Sequence, residues 1–272
     1  MTSLESLLSD LQERQIQLRV ENDRLRYAAP PGAMTEDILS RMRAQKAELI
    51  ELFSQLASSQ HQGIEPVVNR QNVPLSFPQY RLWFLHQLGD HQSTYHMPSA
   101  VRLRGPLNVA ALHRALNTIV ERHEALRTVF KTVDGRPVQI IQPPVDLPLE
   151  PVDLSHLSGE AQTSALAGQI HTETHRPFDL TADLMLRVAL WRLDDDDHVL
   201  LRVFHHMAAD GWSVGIFNRE LASLYRAYQA DKPPALNPLP IQYADFAVWQ
   251  RQRLTGEMLA QQLAYWQRQL DG

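Results

Sequence analysis

The sequence has no cysteine, which excludes disulfides, a thiol nucleophile, thiolate metal sites and iron–sulfur clusters. No apolar run approaches the roughly 18 residues of a membrane-spanning helix. The opening, Met1-Thr2-Ser3-Leu4-Glu5-Ser6-Leu7-Leu8-Ser9-Asp10, is a charged amphipathic pattern rather than a secretion signal. A cytoplasmic setting without a membrane partner is expected. Basic residues are in deficit: 26 Lys+Arg face 31 Asp+Glu, a net charge of −5, so no nucleic acid partner is expected either. Only Lys46, Lys131 and Lys232 among the 26 are lysines, a skew that reads as coding-sequence composition. The most telling scarcity is positional. All 12 histidines and all 5 tryptophans lie after residue 60, and only Tyr27 and Phe53 of the aromatics lie before it. The front of the chain thus has little of the side-chain stock used for acid–base chemistry, with no histidine at all.

What is present suits a folded protein. A 44% hydrophobic share excludes wholesale disorder, and 272 residues allow one large or two smaller domains. Leu4, Leu7, Leu8 and Leu11 mark one face of a helix, with Ser3 as its cap. Ile16, Leu18 and Val20, then Leu25 and Tyr27, alternate with polar residues around Glu21-Asn22-Asp23, so a hairpin is expected over Gln15 to Tyr27. After Ala29-Pro30-Pro31-Gly32, the spacing predicts one long helix from Thr35 through Phe53 and Leu56. Residues 1–58 form the first module and 59–73 a polar linker.

Residues 74–272 alternate strands and helices. Ser76 starts a helix to Leu88; Ser99–Leu103 reads as a strand, and Val109–His123 as an amphipathic helix. Leu126–Val133 and Pro137–Gln142 flank Asp134-Gly135, a strong hairpin signal. A helix fits Ser158–His175. Leu184–Leu193 and His198–His205 read as paired strands around a solvated loop of four aspartates. Helices follow at Val214–Gln229, Tyr243–Leu254 and Glu257–Leu270. The fold class is α/β (α+β), with a mixed sheet flanked by helices.

Chemistry concentrates in Val203-Phe204-His205-His206-Met207-Ala208-Ala209-Asp210-Gly211-Trp212-Ser213. Adjacent residues on a strand point to opposite faces, so one histidine packs inside while the other faces a site. A metal site from His205, His206 and Asp210 is therefore awkward, and no metal is expected. A serine hydrolase built on Gly211-Trp212-Ser213-Val214-Gly215 fails on order, since no histidine follows His206. Acyl transfer without a covalent enzyme intermediate remains.

His205-His206-Met207-Ala208-Ala209-Asp210-Gly211 resembles the HHxxxDG motif of the condensation domains of nonribosomal peptide synthetases, relatives of chloramphenicol acetyltransferase. Leu75-Ser76-Phe77-Pro78-Gln79-Tyr80-Arg81-Leu82-Trp83-Phe84-Leu85 is similar to the family's opening motif. Arg122-His123-Glu124-Ala125-Leu126-Arg127-Thr128-Val129-Phe130 resembles RHExLRTxF, and Tyr243-Ala244-Asp245-Phe246-Ala247-Val248-Trp249-Gln250 the fourth motif. The resemblance implies a chloramphenicol-acetyltransferase-like lobe that joins thioesters carried by donor and acceptor peptidyl carrier proteins. Phosphopantetheine would then sit on those partners, with no cofactor bound directly. It assigns His206 to catalysis, as a base, as the group that orients the amine, or as the group that stabilises the tetrahedral oxyanion. It pairs Asp210 with Arg122 to brace the loop, lets Gly211 permit tight backbone packing, and leaves His205 and Arg127 as scaffold. It also implies a second lobe after Gly272, so the 272 residues alone are expected to be inactive.

Residues 1–58 resemble the αββαα N-terminal docking domains of the tubulysin-synthetase type. The resemblance implies that the C-terminal docking motif of an upstream synthetase subunit adds a strand to the hairpin, near Arg24, Leu25, Arg26 and Tyr27. Arg24 and Arg26 share a face of the second strand, which suits an acidic tail, and such domains can form homodimers. The competing expectation is a non-catalytic docking and assembly module.

Overall fold

The computed structural model describes residues 7, 10–11, 14, 16–21, 24–30, 32–50, 63–89 and 93–271. They fall in two compact units, Met1–Gly63 and Ile64–Gly272. The Ser3 cap, the residues at 22–23, Phe53 and Leu56 lie outside the described residues.

In the first unit, β1 (Gln17–Glu21) and β2 (Arg24–Ala28) pair antiparallel. The register sets Leu18 opposite Tyr27 and Val20 opposite Leu25, alternating with Arg19 opposite Arg26. This is the period of two that the sequence carries. Leu18 and Leu25 pack against a small core of Leu7, Leu11, Ile16, Ile38, Met42 and Leu49. Helix α1 (Glu36–Ala44) starts at Thr35, whose hydroxyl accepts from the Ile38 N–H. The single long helix expected here is broken: Gln45 leaves helical geometry at φ −106°, ψ 19°, and residues 46–50 resume as helix. Met42 and Leu49 are seven apart, two turns of one continuous helix, so the apolar spacing cannot reveal the break.

In the second unit, residues expected as linker already belong to the fold. Asp245, fully buried, accepts from the Val67 N–H at 2.9 Å and from Arg70 Nη2 at 3.0 Å, and Arg70 also pairs with Glu124. Short β3 (Val73–Pro74) joins β6 (Arg136–Ile141) and β5 (Thr128–Val133) in a three-stranded antiparallel sheet. The β5–β6 turn is Asp134-Gly135, both at positive φ (49° and 75°), as a type I′ hairpin requires.

The larger sheet has the order β4 (His96–Arg104), β9 (Asp197–His205), β8 (Leu186–Asp194), β7 (Pro151–Asp153). Only β7–β8 is parallel, so the sheet is mixed as expected. Pro98 is tolerated because β4 is an edge strand. On one face Leu186, Leu190, Leu200 and Phe204 pack under α3 (Val109–Arg122) and α5 (Gly211–Gln229). On the other, Trp191, Val199, Leu201 and Val203 meet α4 (Gly159–His175) and Trp83 of α2 (Phe77–Gln87). Every residue of β9 from His198 to His205 is buried, which marks it as the central strand carrying the candidate site at its end. Helices α6 (Tyr243–Arg253) and α7 (Gly256–Leu270) complete the unit.

Candidate active site

At the end of β9 the two histidines part. His205, 1% exposed, pairs with His96 across the ladder and packs edge-on against the rings of Phe178, His96 and His86, at centroid distances of 5.5, 5.9 and 6.4 Å. Burial, reinforced by His96, His86 and His206, pushes its pKa down to about 3, so it is neutral. Its Nδ1 accepts from the Met207 N–H at 3.1 Å, which places the ring proton on Nε2. His206 is exposed. Its N–H donates to the Tyr95 carbonyl at 3.0 Å, and its side chain lines a cleft of about 700 Å³ with Tyr95, Phe77, Arg81 and Gln250.

The loop from His206 to Asp210 is held from both ends. The Ala208 N–H donates to the His205 carbonyl at 3.0 Å. Asp210 caps α5: its Oδ1 accepts from the Ser213 N–H at 2.8 Å and the Ser213 hydroxyl at 2.6 Å, which holds the carboxyl below its ordinary range. Ser213 is thereby a capping partner at the start of a helix. From beneath, buried Gln79 donates from Nε2 to the Met207 carbonyl and to Gln139 Oε1, both at 3.2 Å. Gln139, buried too, donates to the Pro74 carbonyl at 2.9 Å. Tyr243 and Ser76 hydrogen bond through their hydroxyls at 3.0 Å, and burial pushes the Tyr243 phenol up.

Two expectations need correction. Arg122 does not pair with Asp210: its Nε donates to Glu220 at 3.2 Å and its Nη2 to the Asn237 carbonyl at 2.6 Å. Glu220 also accepts from His123 at 2.7 Å, so this cluster ties the end of α3 to α5 nearly three turns beyond the loop. Nor does Gly211 mediate a close approach, since a Cβ built there meets nothing within 4 Å. Arg127 donates to the carbonyls of Gln142 and Glu121. The structure therefore gathers His205, His206, Asp210 and Gly211 in one loop and sets Arg122 and Arg127 apart. Sequence reasoning missed Gln79 and Gln139 as the loop's support. The signal for Gln79 was its place three residues after Ser76, where the two form a capping box; no pattern marks Gln139.

Arg24, Leu25, Arg26 and Tyr27 lie on β2, with Leu25 half-buried and Tyr27 52% exposed. The four aspartates end the β8–β9 hairpin, where Asp197 pairs with Arg102 and Asp195 with Arg192. No helix among the described residues is long and apolar enough to cross a membrane.

Comparison with known proteins agrees with this arrangement. The family described as Condensation domain matches residues 69–272, and the family described as TubC N-terminal docking domain matches residues 4–55. One of the linear gramicidin synthase proteins of Brevibacillus parabrevis is 47% identical over 209 residues, 77% of this chain. Malpinin synthetase of Mortierella alpina is 46% identical over 210 residues. The chain spans only 3% of the length of either relative. Among solved structures, the X-domain in complex with OxyB from teicoplanin biosynthesis is 34% identical, with a TM-score of 0.69 over 77% of this chain and 46% of that one. The EpoB cyclization-docking bidomain of Sorangium cellulosum shares the fold at 23% identity, with a TM-score of 0.74 over 99% of this chain and 52% of that one. With its motif loop presenting one histidine and burying the other, the chain belongs to the condensation-domain family of nonribosomal peptide synthetases and carries a docking domain in front.

Proposed function

We propose that His206 serves amide bond formation between two carrier-bound substrates, and that the front module recruits the upstream subunit. The observation that carries the first part is the split of the histidine pair: one imidazole is buried and neutral, and the next faces a cleft of about 700 Å³. The acceptor amine attacks the donor thioester carbonyl, the C–S bond of the tetrahedral intermediate breaks, and the donor's pantetheine thiol leaves. His206 takes the proton the attacking nitrogen must lose, or holds that nitrogen in line. The phosphopantetheine belongs to the partners' carrier proteins, in the cytoplasm where these are loaded. Because the chain spans about half of its solved neighbours, the reaction is assigned to the complete module rather than to these 272 residues. His206→Ala in that module is expected to abolish amide formation while carrier loading continues. An unchanged condensation rate overturns the assignment.

For the front module, support comes from the two-stranded sheet, in which each strand has one edge unpaired among the described residues and open to an added strand. Reversing the charge at Arg24 and Arg26 is expected to weaken binding of the upstream partner's tail in calorimetry; unaltered affinity removes their role. We place the module boundary between residue 58 and the first residues that bond to the second unit, with Val67 and Arg70 already on the condensation side.

A further inference from the structure

A second cavity lies away from the His206 loop, between edge strand β4 and helix α5. It has a volume of about 380 Å³ and is walled by Leu103, Leu107, Leu112, Leu200 and Leu221. Its polar end is unusual. Arg202, on central strand β9, lines the cavity while being only 4% exposed. Its Nη2 donates to Ser99 Oγ at 2.9 Å and its Nη1 to the amide oxygen of Asn218, which is also in the cavity wall. Its Nε, fully buried, has no hydrogen-bond partner. No carboxylate among the described residues pairs with it, and Phe217 at 5.6 Å is the aromatic ring it approaches.

An arginine stays charged in a protein, so this site holds a buried cation without a counter-ion. Burying a charge without an opposite one is costly, and a neutral side chain on β9 would pack there at lower cost. Tyr225, also in the cavity wall, is neutral and supplies no counter-charge; its hydroxyl accepts from the Asn108 N–H at 3.1 Å. The complement of such a cavity is an anion at one end and a hydrocarbon chain along the leucines. We infer that this cavity binds a free aliphatic monocarboxylate, its carboxylate on Arg202 and Asn218 and its chain along the leucine wall. A cavity of this size suits a chain of roughly six to ten carbons. The site is independent of amide formation at His206 and can be tested on the chain alone.

The probe is sodium octanoate, titrated calorimetrically into the 272-residue protein, with octan-1-ol and sodium acetate as companions. Octanoate is expected to bind one-to-one, and both companions at least about tenfold more weakly, the scale of a charge-assisted hydrogen bond to a buried cation. Arg202→Met removes the charge and keeps the length; it is expected to erase the preference of octanoate over octanol. Ala222→Trp, which fills the cavity and leaves Arg202 in place, is expected to abolish octanoate binding, and it serves alone should the first variant not fold. The inference is overturned by the absence of octanoate binding, by equal binding of octanoate and octanol to the wild type, by acetate binding as tightly as octanoate, or by undiminished octanoate binding in the folded variants.

Discussion

Acid should destabilise the second unit through His205, and the size of the effect follows from the site. The unfolded imidazole titrates near 6.5, and the folded one near 3, because burial and the neighbouring imidazoles disfavour the cation. The folded pKa of this base is depressed, so between those values the unfolded chain binds the proton and the folded one does not. Stability from this group is therefore complete above about pH 6.5 and declines as pH falls toward the folded value. At about pH 5 the loss is about 2 kcal/mol relative to pH 7.5. The groups around the ring reinforce the sign: His96 on β4 and His86 on α2 also have lowered pKa values, and Arg187 on β8 stacks over Phe178 at 4.2 Å. The acid acting on this cluster, Asp179, acts through His86.

Urea unfolding followed by tryptophan fluorescence isolates the right unit, since all five tryptophans lie after residue 60. The comparison is with His205→Asn, which cannot titrate but keeps an acceptor near the Met207 N–H. The variant is expected to be less stable at neutral pH because it leaves a void. Its loss between pH 7.5 and about pH 5 should be smaller than that of the wild type by about 2 kcal/mol. The slope due to His86 and His96 remains in both proteins and largely cancels. Parallel pH profiles for the two proteins would refute the reasoning, because the buried imidazole would then have no proton-linked cost.

Gln79→Ala strips the Met207 carbonyl and Gln139 of a buried partner, and is expected to cost about 1–3 kcal/mol in urea unfolding. A loss below about 0.5 kcal/mol would remove the loop-bracing role. Asp210→Ala should cost about 1 kcal/mol, the worth of a helix cap, and its effect should add to that of Arg122→Ala within about 0.5 kcal/mol. A coupling well above that in the double-mutant cycle would restore the ion pair that the structure replaces with Glu220.

Much of this fold is legible because its elements carry strong periods. The β1–β2 hairpin, α3, α5 and the β8–β9 pair all show in apolar spacing, as does the type I′ turn at Asp134-Gly135. What stays hidden is either too short for a period or depends on contacts distant in sequence. β3 and β7 have two and three residues, and the strand expected from Leu126 begins as a 3₁₀ turn, Glu124–Arg127, in which the Thr128 hydroxyl donates to the Glu124 carbonyl. Residues 64–72 lack periodicity, yet Val67 and Arg70 are held by the buried carboxylate of Asp245, and Arg70 by Glu124 as well, both distant in sequence. In the site, the division between His205 and His206 follows from strand alternation alone. The partner of Arg122 does not, because two candidate acids, Asp210 and Glu220, lie within three helical turns of each other.

The adjacency of the two histidines has a physical reason that extends beyond the motif. β9 is buried on both faces, so its last residue delivers a backbone turn into the interior, where the Met207 N–H needs an acceptor. A neutral imidazole supplies that acceptor and fills the space beside Phe178 and His96, which an aliphatic side chain would do only in part. The turn is anchored by His205 Nδ1 from within, by Gln79 from below and by the Asp210 cap at the far end. The His206 N–H donates to the Tyr95 carbonyl. The first histidine thus spends its Nδ1 acceptor on the geometry of the loop that carries the second. A substitution at His205 that keeps volume but removes the acceptor should therefore disturb the loop carrying His206 without touching the cleft itself.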